Sequence, residues 1–469
     1  MSDLLKNTIA AVSTPRGKGG VALIRISGSD ALAVGRKIFR TKKDPAECPR
    51  CSLFGEIVFP EGCGRAGESI DTGLLTYFRA PASFTGEDTV EICCHGGVLV
   101  TRTVLTAALL AGARQAEKGE FTRRAFVSGK ISLPEAEALG MLLDAGTDAQ
   151  LRLSHAGMSG TLTAAITALR LEITALLTDI YARIDFPEED LGSIPEAEIR
   201  DRIAALTKKT SELMATYSTG KAIAEGIETV ICGRTNAGKS TLYNRMSGSE
   251  DAIVTDIEGT TRDILSSTVS FGGATLHLHD TAGIRAGSGD RIEQIGIDRA
   301  KDKIASAELL LFLIDGTRPP AEDDIALADM LASHPGHVIA VMTKSDVAVT
   351  DAGAQSLFDR FELKARISAL TGEGIEALES LVGSLFIDGK LDLSRDTVIS
   401  SARQYSALER TNEALRASCG ALENGYAADI LSVCLEDAAN ALSELDGRGF
   451  GAVNADVIDG IFSKFCVGK

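Results

Sequence analysis

The chain of 469 residues is about three domains long at the usual ~100–200 residues each, and its 44% hydrophobic content, free of low-complexity tracts, is that of a folded protein. Lysine and arginine number 48 against 65 aspartates and glutamates, so a formal charge of −17 opposes non-specific attraction to phosphate backbones; a nucleic-acid substrate then requires a local basic patch or a basic partner. The 9 cysteines are odd in number and scattered, which argues against a disulfide framework, and the longest purely apolar run, Leu309 to Ile314, is far short of a membrane span.

In chain order, the opening MSDLLKNTIA has the pattern of neither a secretory signal nor an Arg-rich transit peptide, so a cytoplasmic location without a membrane is expected. Residues 1–128 alternate short β-rich runs (GGVALIRIS, DTVEICCHGG) with a helical stretch (LVTRTVLTAALLAGA) and read as an α/β domain. Within it, Cys48-Pro-Arg-Cys51 has zinc or redox spacing, but only Cys63 and the distant Cys93-Cys94-His95 could complete a metal site, and surface-loop thiols are the simpler reading. Residues 129–222 turn helical: Leu162, Ile166, Leu169, Ile173, Leu176, Ile180 and Ile184 recur every three or four positions, an apolar stripe that needs a partner. DFPEED breaks that pattern, and a further helix is expected over about 194–218.

Strand and helix alternate again over 223–388, and the helical period returns over 389–469, where Leu431, Leu435, Ala438, Leu442 and Leu445 mark one face. Two amphipathic blocks flanking a self-contained α/β unit can bury their stripes against each other, giving one helical domain with the α/β unit inserted. In the last helix Val457, Ile461 and Phe465 are expected to share a face, leaving Cys466 at a helix end fixed on one side and free on the other. A cysteine four from the end also suggests a prenylation box, but Gly468 and Lys469 fit that motif poorly.

The inserted unit carries the clearest chemistry. An apolar strand leads into Gly233-Arg234-Thr235-Asn236-Ala237-Gly238-Lys239-Ser240 and then a helical pattern beginning with Thr241, as a P-loop requires. Its glycines let backbone N–H groups curl round phosphates at a helix N-terminus; Lys239 would reach the β and γ phosphates and Ser240 would hold Mg²⁺. Later segments narrow the nucleotide. Thr260 and Thr261 in DIEGTTRD lie where a switch senses γ-phosphate and metal, and an alternating strand ends at Asp280-Thr281-Ala282-Gly283. HVIAVMTKSD delivers Thr343, Lys344, Ser345 and Asp346, whose carboxylate suits the adjacent N1 and amino donors of guanine, and Ser368-Ala369-Leu370 would meet the base carbonyl. This ordered set resembles the five motifs of the GTPase superfamily, with Thr343 where asparagine is usual. No glutamine follows Gly283 to orient water, so another residue must do so.

The whole chain, through TPRGKGGVALIRISG, SFTGEDTVEICCHGG, GEFTRRAF, GKISLPEAEAL, DFPEED, GRTNAGKSTL, DTAGIR and the terminal FCVGK, resembles the MnmE (TrmE) family of tRNA-modification GTPases. That resemblance implies an N-terminal domain that dimerises and binds a one-carbon tetrahydrofolate (5-formyl or methylene) through Arg25, Glu91, Lys130 and Lys469. It implies K⁺ held by Asn236, Thr255, the Ile257 carbonyl and Thr260, with Asp256, Glu258 and Gly259 in the same nucleotide loop; Mg²⁺ held by Ser240 and Thr261; and Glu293 as the residue that orients water. It further implies a heterotetramer with MnmG, which supplies FAD, acting on the wobble uridine of tRNA to add a carboxymethylaminomethyl or aminomethyl group at C5. Cys466 of the C-x-G-K end would act as nucleophile or acid, packing of a helix end being the alternative. Two rival readings are a ribosome-assembly GTPase switch and a folate-dependent aminomethyl-transfer enzyme acting without tRNA.

Overall fold

The computed structural model describes residues 7–15, 17–185, 195–248, 266–280, 303–347, 350–393, 395–424, 428–447 and 455–468. The chain forms two compact units, Met1–Gly140 with Asp446–Lys469, and Met141–Leu445.

The first unit is built on β1 (Ile9–Val12), β2 (Val21–Ser27), β3 (Phe39–Thr41), β4 (Ser52–Val58), β5 (Ser69–Phe78), β6 (Thr89–His95) and β7 (Arg114–Gln115), in the order β3-β4-β5-β6-β2-β1-β7. All neighbours are antiparallel except β1 and β7. Alternation in VALIRIS sends Ala22, Ile24 and Ile26 into a core with Val90 and Ile92 of β6, covered by the helices Ala31–Ile38 and Val98–Leu110. Leu23, Arg25 and Ser27 therefore take the opposite face. There the short helix Glu120–Val127 lays Phe121 against Ile9 and Ala11, with Val467 from the chain's end beside them.

The C-terminal helix Ala455–Phe462 packs Ile458 and Phe462, with Phe465, against Phe126, Leu133 and Ala136. This differs from the expected face of Val457, Ile461 and Phe465. The helix stops at Phe462, so Phe465 reaches the core from a turn rather than at helical register, and Ile458 replaces Val457.

In the second unit, β8 (Ile227–Gly233), β9 (Ser266–Phe271), β10 (Ala274–Asp280), β11 (Leu309–Asp315), β12 (His337–Thr343) and β13 (Leu363–Arg366) form a sheet ordered β13-β12-β11-β8-β10-β9, parallel except for β9. Both faces are covered: Leu309, Leu311 and Leu313 enter one core and Leu310, Phe312 and Ile314 the other, so β11 reads as a continuous apolar run. The helices Thr161–Asp185, Glu196–Ala215, Ala402–Glu423 and Ala428–Asp446 pack beside this sheet unit in one apolar cluster. Leu162 through Ile180 of the stripe meet Ile199, Ile203 and Leu206 on one side and Leu408, Leu415, Leu435 and Leu442 on the other, the mutual burial anticipated from the flanking patterns. Thr161–Ala182 is the one stretch among the described residues long and apolar enough to cross a membrane, and its stripe is the part that this cluster buries.

The chain leaving the inserted sheet unit is tied back to the short helix that leads into it, Tyr217–Ala224, and to the residue before that helix. The Thr219 hydroxyl accepts from Asp388 N–H (2.9 Å) and the Thr216 hydroxyl accepts from Ile399 N–H (3.1 Å).

Candidate functional site

The nucleotide site forms where β8 turns into the helix Lys239–Ser247. A Cβ at Gly233 would fall 2.5 Å from the Leu313 carbonyl, and Gly238, with φ 96°, starts the helix in the left-handed region that glycine tolerates. Asn236 also has positive φ, 64°. Lys239 is only 8% exposed and donates to the carbonyls of Gly233 and Arg234, each at 2.8 Å, so its ammonium lies folded into the loop it would help a phosphate to fill. Asn236, Ser240 and Thr241 are exposed at the mouth of the loop.

The loop expected to meet the base is held by two anchors. Thr343, 2% exposed, donates its single hydroxyl proton toward the carbonyls of Ala237 (2.8 Å) and Ile314 (3.2 Å), and so ties the end of β12 to the P-loop. A hydroxyl at the position where asparagine is usual thus bridges the two loops. Next to it, Lys344 at φ 62° places its ammonium 2.6 Å from Asp315 at the end of β11. Burial works to raise the Asp315 carboxyl, but hydrogen bonds from Lys344 and Thr317 outweigh it and hold the group below its ordinary value. Asp346 is exposed, and Ser368 is buried with its N–H on the Glu373 carbonyl (2.9 Å). Ala369 follows, buried in the sheet unit's core, and Leu370 after it is well exposed.

A cavity of about 460 Å³ opens beside these elements, lined by Thr343, Lys344, Ser345, Arg366, Glu373 and Gly374 among others. A larger groove of about 900 Å³ runs along the helix Ile375–Phe386, but Glu376, Glu379 and Asp388 line it, and carboxylates repel a polyphosphate. Of Asp280 the strand position is described, at the end of β10 opposite Ile231 of β8. Thr255, Asp256, Ile257, Glu258, Gly259, Thr260, Thr261, Thr281, Ala282, Gly283, Glu293 and Lys469 lie outside the described residues.

The first unit holds a second constellation. Arg25 of β2 and Glu91 of β6 are direct cross-strand partners on the face opposite the helices Ala31–Ile38 and Val98–Leu110, paired at 2.9 Å. The Arg25 guanidinium lies over two rings, 5.6 Å from the centre of Phe84 and 5.7 Å from that of Phe121. Lys130 donates to the Pro81 carbonyl at 3.0 Å, on the loop that also carries Phe84. Beneath Phe121 sits a buried charge network: Arg124, 0% exposed, meets Glu87 (3.1 Å) and Glu120 (3.0 Å), and Arg114 meets Glu120 at 2.5 Å. Burial favours the neutral acid at Glu120, yet Arg114, the Glu117 N–H and Arg124 hold its carboxyl below the ordinary value.

The chain's end docks on the same face. Val467 bridges Lys118, the Ser13 hydroxyl donates to the Gly468 carbonyl (3.0 Å), and Gly119 N–H points to the Cys466 carbonyl (3.4 Å). Cys466 is exposed between buried Phe465 and buried Gly468. It is therefore fixed on both sides, where the sequence suggested one free side, because Gly468 and its neighbour form backbone contacts that side-chain patterning does not reveal. Val467 packs in the cluster of Phe121, whose ring centre lies 5.7 Å from the Arg25 guanidinium, so the docked terminus and the Arg25–Glu91 pair share this face.

The sequence pointed to Arg25, Glu91 and Lys130 but not to Phe84, Phe121 or Asp315. The rings lie inside SFTGED and GEFTRRAF, and Asp315 directly follows the aliphatic run of β11.

Among known families, residues 133–466 match the profile described as MnmE helical domain and residues 8–130 the one described as GTP-binding protein TrmE N-terminus. Curated relatives matched along the full chain are each described as tRNA modification GTPase MnmE. That of Geotalea uraniireducens is 37% identical, covering 99% of this chain and 100% of its own. Those of Desulforamulus reducens, 35% identical, and Thermotoga maritima, 36% identical, also cover 99% of this chain and 100% of their own.

Proposed function

The chain belongs to the MnmE family of tRNA modification GTPases, and from that premise we propose that it hydrolyses GTP in its sheet unit to drive wobble-uridine modification carried out at the Arg25–Glu91 face. The observation that supports this reading is the Arg25–Glu91 pair, with its guanidinium over Phe84, on the face where the chain's end that carries Cys466 docks through Val467 and Gly468.

In the sheet unit, a nucleotide's phosphates would take over the Lys239 ammonium from the Gly233 and Arg234 carbonyls, with loop N–H groups and the helix N-terminus as further donors. Asp346 would accept the two adjacent donors of guanine while Thr343 and Asp315 hold the loop that carries it. Exposed Ser240 and Asn236 offer neutral oxygens suited to hard cations: Ser240 with Thr261 for Mg²⁺, and Asn236 with Thr255, Ile257 and Thr260 for K⁺. Such cations neutralise charge developing on the transferred phosphoryl group. Glu293 would orient the attacking water.

In the first unit, a reduced folate suits the residues present. Exposed Phe84 matches a flat heteroaromatic ring, Glu91 its amino edge, and Arg25, Lys130 and Lys469 the glutamate carboxylates. When bound, a folate supplies the one-carbon unit for C5 of uridine. Cys466 would serve as nucleophile or acid. The protein would work as a cytoplasmic homodimer joined to the flavin-bearing MnmG, which would take much of the tRNA grip that a chain of −17 charge lacks.

The test is nucleoside analysis of tRNA from cells carrying only Cys466→Ser, beside GTPase assays of the purified protein in K⁺ and in Na⁺. The expected result is loss of the wobble modification with GTP turnover retained, and turnover much slower in Na⁺. Normal nucleosides in that strain would reduce the thiol to packing.

A further inference from the structure

The Cys48-Pro49-Arg50-Cys51 segment is a built turn rather than a slack loop. Cys51 N–H donates to the Cys48 carbonyl (3.1 Å), Pro49 occupies the second position, and Arg50 adopts φ 66°, the positive value that the third position of a type II turn demands. Arginine rarely accepts that conformation, and the cost is offset by its surroundings. Arg50 N–H donates to the Tyr77 carbonyl at 2.7 Å and its guanidinium to the Ala82 carbonyl at 3.3 Å. On the other side Arg79 holds the Ala46 carbonyl (3.1 Å) and Asp44 accepts from Ala46 N–H (3.0 Å).

A hydrogen-bonded turn keeps its first and fourth Cα atoms within about 7 Å, inside the span that a disulfide bridges without moving backbone. Hydrogen bonding to Cys48 pushes the Cys51 thiol above its ordinary value, which accords with the closeness of the two side chains that the turn imposes. Cys51 is exposed and Cys48 half-buried, so solutes reach them. Other thiols are built differently. Cys94 and Cys232 are buried away from solutes, and Cys63 donates to the Pro60 carbonyl at 3.1 Å.

The geometry points to Cys48 and Cys51 as a redox-active dithiol that exchanges with low-molecular-weight disulfides, a site independent of GTP and tRNA. In the first step the thiolate of one cysteine attacks the S–S bond of a disulfide such as oxidised glutathione, forming a mixed disulfide and expelling one glutathione thiolate. The second cysteine then loses its proton, attacks the protein-side sulfur and releases the second glutathione. The balance is two protein thiols oxidised by two electrons and one external disulfide reduced to two thiols.

The experiment incubates the full-length protein with oxidised glutathione, caps remaining thiols with iodoacetamide and maps tryptic peptides without reduction. Cleavage after Arg50 separates the pair, so the disulfide would join residues 44–50 to 51–65. Because the second peptide also contains Cys63, Cys63→Ser is treated in parallel. The expected result is the joined peptides in wild type and in Cys63→Ser, with little glutathione left on either cysteine. Cys48→Ser should instead retain a stable glutathione adduct on Cys51, at least ten times the wild-type level. A wild-type protein that keeps the adduct as the variant does, or a joined species that vanishes in Cys63→Ser, would overturn the assignment. GTP turnover of each variant serves as the check that the chain is folded.

Discussion

Replacing Gly468 by alanine isolates the role of the docked terminus. The glycine has φ 105°, and a Cβ there would lie 2.2 Å from the Val12 carbonyl and 3.0 Å from the Ser13 Cα, both backbone atoms that cannot swing aside. A non-glycine residue at positive φ costs about 1–2 kcal/mol, and loss of the Ser13 hydrogen bond and the Lys118 bridge adds about 1 kcal/mol each. The total of about 3 kcal/mol lowers the docking equilibrium constant, and raises the undocked population, about a hundredfold. Limited trypsin treatment reads this directly, since Lys464 lies just ahead of the docked residues: cleavage there should accelerate about a hundredfold in Gly468→Ala. GTP turnover should stay within twofold of wild type, while the wobble modification is lost. Gly460→Ala is the control, because a Cβ there meets nothing within 4 Å. Unchanged cleavage and normal modification in Gly468→Ala would refute the reasoning.

Thr343→Val keeps the shape but removes the hydroxyl that reaches Ala237 and Ile314; a buried acceptor left unpaired costs about 1–3 kcal/mol, so affinity for a fluorescent GDP should fall about tenfold, with Thr343→Ser near wild type. Equal affinity for all three would show that the bridge is incidental. Glu120→Gln leaves buried Arg124 with Glu87 but without its second carboxylate, and removes the partner of Arg114, a loss of about 2–3 kcal/mol at neutral pH seen as a lower melting temperature. The Glu120 carboxyl is held below its ordinary value, so its contribution is complete above the unfolded carboxylate range of about 4.3 and disappears as pH falls through the lower folded value. Melting temperatures of wild type should therefore hold above pH ~5 and converge on those of the variant in stronger acid, whereas a constant gap down to pH ~2 would contradict the charge account.

Local periodicity made much of this architecture legible. The stripe from Leu162 to Ile180 announced a helix needing partners, and the Leu431 to Leu445 face supplied one, because burial repeats at the spacing of a helical turn. The P-loop was legible for the same kind of reason, since glycine spacing before a helix is a backbone requirement written in residue type. What escaped was non-local. Asp315 and Lys344 meet only because β11 and β12 are parallel neighbours whose ends align, and Phe84 and Phe121 reach Arg25 from separate segments. The face of the last helix was misjudged because periodicity does not say where a helix stops, and here it stops before Phe465.

The central claim is that two chemistries occupy two separate units, GTP in the sheet unit and a one-carbon folate at Arg25 and Glu91. Calorimetric titration of the full-length protein with 5-formyl-tetrahydrofolate tests it most directly, using wild type and Glu91→Gln, each with and without saturating GDP. The account predicts one folate per chain in wild type, binding weakened at least tenfold in Glu91→Gln, unchanged GDP affinity in both, and no competition between the ligands. Equal folate binding by the variant, or displacement of folate by GDP, would contradict it.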